Sequence, residues 1–456
     1  VRHIIVIGGG SGGTAAAIRA AQMGASVTLI EQAELGGNCT NRACVPLEAL
    51  QVTARLLGEL VTARDHGIQI PGVSFDLTQA MARKDRVVEE VRMGIGGLLT
   101  SNGVQVIEGM GWLAGPRTVE VDGHRLEGDA VVIATGFVPV KPPIPGIDQN
   151  GVMTPAEALS LTDVPSRLLV IGSEPPQIGL ASVFQRFGSR ITIVEAQRRL
   201  LPGEDDEIRQ RMGLAFRDRG IDTMVGATVS SIRPDRGGLV ATIVDRRGER
   251  ELAVDKVLVA DRIPHIAGLG LERIGIHVED GHIAVDEGMR TNVPAVYAVG
   301  DAAGGRFSYE ATAGGIVAAE NALGGDSRLD RDLVPRCIYG QPEAAAVGLT
   351  QEEAEECGYD VKTTSMPLAL NARAIAMGVS GGVIKIVAEA RYGKILGVHI
   401  VGPWATELID QAVLAIRLEA LAEDVAEAMA GHPALAESRQ EAGRDLLGKA
   451  LYVPKW

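Results

Sequence analysis

Aromatic residues and cysteine are both scarce in this chain: Phe, Trp and Tyr make up 3% of its 456 residues, and it has four cysteines. So few rings offer no platform for stacked bases. The sequence has no basic run, and its formal charge is 44 minus 58, or −14, which argues against a groove that tracks nucleic-acid phosphates. No apolar run approaches the roughly 20 residues that span a bilayer. The opening stretch "VRHIIVIGGG" turns glycine-rich at once, unlike a leader segment. A cytoplasmic protein with neither membrane nor nucleic-acid partners is the expectation. Four cysteines in so long a chain cannot form a disulfide scaffold. Cys39 and Cys44, five apart, point instead to redox or metal chemistry, whereas Cys337 and Cys357 are scattered and read as structural.

Glycine, by contrast, is abundant. Its 57 copies imply many tight turns and close backbone approaches, in a composition (46% hydrophobic, 22% charged) normal for a folded protein. The length predicts two to four domains. Residues 3–7, "HIIVI", read as a buried parallel strand. A glycine turn, an Ala-rich helical stretch and the strand "SVTLI" ending at Glu31 complete a βαβ unit. The pattern recurs at "LLVI" (168–171), an apolar helix through Phe187, and "RITIV" ending at Glu195. Strands are expected near 104–107, 118–121, 130–133 and 295–301. The Pro-rich "KPPIPGI" (141–147) has linker composition. After about residue 328 a mixed α+β region follows, with two strands around Tyr392-Gly393 and a long C-terminal helical tract. The expected fold is α/β: two Rossmann-like nucleotide-binding domains plus a C-terminal α+β dimerisation domain. The expected segments are 1–145 and 271–328 for the first nucleotide domain, 146–270 for the second and 329–456 for the last.

Gly8, Gly10 and Gly13 satisfy G-x-G-x-x-G between a strand and a helix, so backbone N–H groups and the helix N-terminus can face a pyrophosphate. Glu31 can accept ribose hydroxyls. The bland alternative is a tight strand-to-helix turn, but strand, helix and acid together favour a dinucleotide. "GGNCTNRACVP" (36–46) sets Cys39 and Cys44 at the start of a helix, where a helix N-terminus can lower a thiol pKa. Zinc would need two more soft ligands, which the sequence does not supply nearby, so no metal site is expected. His432-Pro433, with Glu437 five positions on, is either a turn or an acid/base pair.

"VVIATGFVP" (131–139), "TNVPAVYAVGD" (291–301), the cysteine segment and H-P-x-x-x-E at 432–437 together resemble the signatures of the class I pyridine nucleotide-disulfide oxidoreductases, over nearly the whole chain. The resemblance implies FAD, with Asp301 on its ribityl chain and Gly111, Thr135, Gly136 and Gly300 among the cofactor-binding positions. It also implies that Cys39 exchanges with substrate while Cys44 faces the flavin. His432 would be the acid/base, oriented by Glu437, and would complete the partner subunit's site in a homodimer. Ala43 stands where the motif has glycine.

The second βαβ turn departs from the pattern. Gly172-Ser173-Glu174-Pro175-Pro176-Gln177 keeps one of three glycines, adds a carboxylate and deletes two backbone donors. Glu48 replaces the family's lysine and Gly179 the glutamate that pairs with it, while Pro175 replaces an aromatic gate. "VLVADRIPHIAGLGLE" is one residue short of its counterpart and has Asp261 for glycine. All these changes border the nicotinamide path, which makes NAD(P) doubtful, although Glu195 keeps the place that favours an NAD ribose. The sequence therefore predicts an FAD-dependent dithiol oxidase that passes electrons to O2. The alternatives are an NADH-linked reductase similar to dihydrolipoamide dehydrogenase, a tailoring flavoenzyme acting on a small or carrier-borne thiol, and a flavin-bearing scaffold with vestigial catalysis.

Overall fold

The computed structural model describes residues 1–379 and 381–453. Its first unit is built on a parallel sheet whose strands run, in spatial order, Val296–Ala298, Ala130–Ile133, His3–Ile7, Ser26–Glu31 and Gln105–Glu108. These strands are short apolar runs because both sheet faces are covered. Ile4, Ile5 and Val6 are wholly buried, and Ile4 and Ile5 belong to different cores on opposite faces. An antiparallel trio, Gly111–Gly115, Thr118–Val121 and His124–Glu127, closes over one face.

On the other face, helices Ser11–Gln22 and Ser308–Ala322 cross at close range. Glycine permits it: a Cβ on Gly315 would lie 2.1 Å from the Gly12 carbonyl oxygen. This crossing brings Ser308 to the same cavity as Ser11, 297 residues earlier in the chain.

The second unit repeats the design, with parallel strands ordered Asp222–Val225, Arg190–Glu195, Arg167–Ile171, Lys256–Val259 and Val152–Met153. An antiparallel trio spanning 228–254 packs on it. The chain leaves this unit earlier than the expected segment 146–270 implies. Strand Asp261–Pro264 pairs with Phe137–Val140, and Leu269 packs with Ile5 and Leu113, so residues 261–270 go with the first unit.

The C-terminal unit is a five-stranded antiparallel sheet, ordered 336–338, 343–348, 395–402, 383–389 and 361–367. The expected strands around Tyr392-Gly393 are its central strand and that strand's inner neighbour. The expected long helical tract is three helices, Ala405–Arg417, Ala422–Glu427 and Glu437–Leu446. Glu419, at φ 53°, takes the left-handed conformation just past the first of them and turns the chain. The expected strand 295–301 is likewise shorter, passing at Gly300 into a 3₁₀ turn. Among the described residues no helix is long and apolar enough to cross a membrane.

Candidate active site

One cavity of about 1140 Å³ runs from the first glycine turn past both cysteines to the second glycine turn. Gly8, Gly10, Glu31, Gly111, Thr135, Gly136, Gly300 and Asp301 all line it, with Cys39 and Cys44. Gly13 lies just behind: a Cβ there would stand 1.8 Å from the Gly8 carbonyl oxygen, so only glycine lets the helix meet the strand end. Glu31 Oε2 accepts from the Gly9 amide at 2.6 Å, and its Oε1 accepts from Ala33 N at 2.8 Å. The acid is thereby fixed at the rim of the turn.

Three buried polar atoms of residues lining this cavity lack a hydrogen-bond partner among the described residues: Gln177 Oε1 at the second glycine turn, and Thr135 Oγ1 and Asp301 Oδ1. Asp301 Oδ1 lies 2.8 Å from Arg262 Nη1, an ion pair without hydrogen-bond alignment. Burial holds the Asp301 carboxyl above its ordinary range, against the pull of Arg262. Orphaned groups of this kind call for a polar ligand. Together with the glycine cradle and the bonded acid, Thr135 and Asp301 fit FAD.

The dithiol motif folds as two helices rather than one. Cys39 sits in Gly37–Arg42, and Cys44 opens Cys44–Thr62, with Ala43 between. The motif's asparagine, Asn41, ties the segment down, donating to the Leu35 carbonyl at 3.0 Å and to Gly37 at 2.9 Å. Asn38 donates to Phe137 at 2.8 Å. Gly37, at φ 58°, nearly touches the first glycine turn, where a Cβ would meet Gly10 Cα at 2.8 Å.

Both cysteines are free thiols in mutual hydrogen-bond contact. The Cys44 thiol, then the Ser308 and Ser11 hydroxyls, bring Cys39 down to about 7 against the opposing cost of burial. The same contact, followed by burial, pushes Cys44 up. The contact therefore favours the thiolate on Cys39 over one on Cys44.

Several residues of this cavity are not evident as site residues in the sequence. Ser308 and Ser11 are two. Cys337, Tyr309 and Tyr339 are others, and Cys337 is thus less isolated than its place in the chain implies. The Tyr309 hydroxyl contacts the Cys337 thiol, which burial pushes up to about 12. Ser11 sits within the first glycine turn, whereas no local motif announces the others, which arrive from segments about 270–300 residues from Cys39.

His432 Nδ1 lies 3.0 Å from Glu437 Oε1, and Glu437 Oε2 accepts from the Ala434 amide at 2.8 Å. That amide, then His432, holds the Glu437 carboxyl below its ordinary range. The histidine is 72% exposed and is not among the residues lining the dithiol cavity of its own chain. The fold joins His432 to Glu437 but not to Cys39.

The second glycine turn retains part of the first turn's geometry. Gly172 has φ 90° where Gly8 has 102°. Glu195 is anchored as Glu31 is, by Gln197 N at 2.8 Å and, in place of a glycine amide, by the buried Ser173 hydroxyl at 2.6 Å. The pyrophosphate end differs. Pro175 and Pro176 open the helix without amide donors, and Glu174 is paired with Arg306. Gln177 is 2% exposed, and its Nε2 donates to the carbonyls of Ile171 (3.2 Å) and Ala260 (3.3 Å). Those carbonyls end two neighbouring parallel strands, so the carboxamide spans the crevice in which such sheets bind ligands. Nearby, Glu48 pairs with Arg55 at 2.5 Å. A Cβ on Gly179 would stand 2.8 Å from Leu47 Cδ2 and 3.1 Å from the Tyr339 carbonyl oxygen.

Residues 2–324 match the family model of the pyridine nucleotide-disulphide oxidoreductases, and residues 334–443 match that family's dimerisation domain. The chain is 34% identical to a dihydrolipoyl dehydrogenase of Bacillus subtilis, over 99% of this chain and 100% of that protein. It is 37% identical to the dihydrolipoyl dehydrogenase of Thermus scotoductus, over 99% and 98%. Among solved structures, LpdA of Mycobacterium tuberculosis superposes with TM-score 0.90 at 30% identity, covering 98% of this chain and 100% of that one. The HOCl-induced flavoprotein disulfide reductase RclA of Escherichia coli gives 0.85 at 28%, covering 97% and 99%. Members of the family bind FAD and use a pyridine nucleotide. The cavity, the paired thiols and these matches agree: the chain belongs to the pyridine nucleotide-disulphide oxidoreductases, as an FAD-dependent oxidoreductase acting on sulfur groups.

Proposed function

We propose that this protein oxidises dithiols to disulfides through Cys39 and Cys44 and disposes of the electrons to dioxygen rather than to NAD(P). The observation that carries this reading is the second glycine turn, where the Gln177 carboxamide and two prolines take the place of a pyrophosphate cradle. The overall balance is one dithiol and one O2 giving one disulfide and one hydrogen peroxide.

In the oxidised enzyme, a substrate thiolate attacks the Cys39 sulfur of the Cys39–Cys44 disulfide and releases Cys44 as thiolate. The second substrate thiol, deprotonated, attacks the substrate sulfur of the mixed disulfide and releases Cys39. Cys39 suits this role because Cys44, then Ser308 and Ser11, favour its thiolate, making it a good leaving group. His432 of the partner subunit, oriented by a glutamate, accepts the substrate's proton in the homodimer that the dimerisation domain supports. When bound, FAD supplies the two-electron exchange that restores the disulfide. Gly8, Gly10, Gly13, Glu31, Gly111, Thr135, Gly136, Gly300 and Asp301 would hold it. The substrate is a small-molecule or carrier-borne thiol.

A second reading, an NADH-linked disulfide reductase, is favoured by the full-length relatives named dihydrolipoyl dehydrogenases and by Glu195, which stays anchored where a ribose would be bound. Anaerobic spectra separate the two. The oxidase reading expects a dithiol to bleach the flavin and NADH or NADPH to leave it yellow, with stoichiometric peroxide once air is admitted. Rapid bleaching by NADH would sink it.

A further inference from the structure

We propose that Arg186 and Arg219 form an oxyanion site, outside the dithiol cavity, that takes a phosphate dianion or a phosphate monoester. Arg186 Nε and Arg219 Nη1 donate to the same neutral atom, Gln341 Oε1, at 3.0 and 3.2 Å. Among the described residues neither guanidinium lies within 4.0 Å of a carboxylate. Two like charges thus share one amide oxygen, half-buried and without a counterion.

The site is built rather than incidental. Gln341 is pinned through its amide to Ser182 Oγ at 3.1 Å, and the Arg219 carbonyl accepts from Gln185 Nε2 at 3.1 Å. Arg186 nests against Gly58, deep inside helix Cys44–Thr62, where a Cβ would stand 3.2 Å from the Arg186 Cζ. A glycine within a helix costs about 1 kcal/mol relative to alanine, and here the space it leaves is used by a cation.

Burial pulls Arg219 down to about 10, with Arg186 adding to the effect, so both groups remain charged at neutral pH. Each arginine lies at the C-terminal end of a helix, whose carbonyls offset only part of its charge. A doubly charged anion balances both guanidinium groups, and their planar forks match phosphate oxygens. A single carboxylate would balance only one. The contributing residues come from the first unit (Gly58), the second (Arg186, Arg219) and the C-terminal unit (Gln341), so a bound anion would link all three. Gln341 lies two residues from Tyr339, which lines the dithiol cavity.

The test uses the FAD-loaded protein, titrated separately with inorganic phosphate and with glycerol phosphate against chloride at constant ionic strength. Melting temperature and ³¹P line width are the readouts. The expected result is a saturable rise in melting temperature and line broadening, lost in Arg186→Gln and Arg219→Gln and retained in Arg117→Gln, an exposed arginine of the first unit. The tighter of the two ligands identifies the source. Gly58→Ala, which keeps both charges but crowds Arg186, should weaken binding and covers the case in which the glutamine variants fail to fold. An equal response in all variants, or none in the wild type, overturns the proposal. So does a change in oligomeric state caused by the same variants, which would assign the arginines to an acidic contact between copies.

Discussion

The Ser173 hydroxyl donates to Glu195 Oε2 at 2.6 Å and accepts from the Leu201 amide at 2.9 Å, so the acid ending the second unit's strand is anchored by a side chain. Its counterpart Glu31 is anchored by the Gly9 amide. The ribose end of the second site is thus preserved and its phosphate end rebuilt. Restoring glycine at Glu174 and Gln177 together should clear the carboxylate and the bridging carboxamide. The expected outcome is measurable flavin reduction by NADH in the double variant. No gain would place the block in Pro175 and Pro176, the missing donors.

Removing the anchor itself has a different signature. Ser173→Ala leaves the buried Leu201 N–H without its acceptor, a loss of about 1–3 kcal/mol in stability, read as a lower urea midpoint with unchanged slope.

Thiol reactivity should follow the environment of Cys39. With its pKa near 7, the thiolate fraction rises through neutral pH, well below the ordinary cysteine value. Alkylation of the reduced enzyme by iodoacetamide should titrate with a midpoint near 7 at Cys39, and Ser308→Ala should move that midpoint upward. A midpoint unmoved by the change would remove Ser308 from the role of positioning residue. Cys39→Ser should abolish turnover while the protein stays yellow.

Grafting back the family's ion pair should fail on packing grounds. In Glu48→Lys with Gly179→Glu, the new side chain at 179 meets Leu47 at 2.8 Å and the backbone of Tyr339 at 3.1 Å. Overpacking of this kind costs about 1–3 kcal/mol, visible as a lower melting temperature. Glu48→Lys alone avoids the clash, because Glu48 lines the open cavity.

His399 gives a pH-dependent prediction. It is wholly buried, its Nε2 lies 3.0 Å from the Leu349 carbonyl oxygen, and burial lowers it to about 4, with Asp205 opposing and Lys385 and Arg336 reinforcing the shift. Between about pH 4 and the ordinary histidine value near 6.5, the unfolded chain binds a proton that the native chain refuses. Stability should fall as pH drops through that window, by about 1.4 kcal/mol per pH unit at most. His399→Leu should flatten the profile.

What the sequence revealed about the fold is what lies contiguous in the chain. The glycine turn at Gly8–Gly13, the Cys39–Cys44 segment and Gly300-Asp301 each carry their geometry within a few residues, and the structure gathers them around one cavity. The apolar strands were readable for the same reason, since burial on both faces leaves little polar alternation. The C-terminal sheet is harder to read: half of Glu343–Gly348 is alanine, a strand only because its neighbours pair with it. The return of residues 261–270 to the first unit depends on pairing with a strand 124 residues earlier, which no local pattern encodes. In the second turn, the loss of glycines is visible, but where the Gln177 carboxamide reaches depends on residues 171 and 260 meeting in space.

The exposed His432 has a genetic consequence. Because it lies outside the cavity formed by its own chain, damage to the thiols and damage to the histidine fall on separable halves of one catalytic unit. On the proposed mechanism, chains carrying Cys39→Ser are expected to be inactive and chains carrying His432→Ala to turn over slowly. Unfolded and reassembled together, they should form hybrids in which one site receives its cysteines from one parent and its histidine from the other, seen as activity above that of either variant. Two defective alleles would complement each other in the same cell.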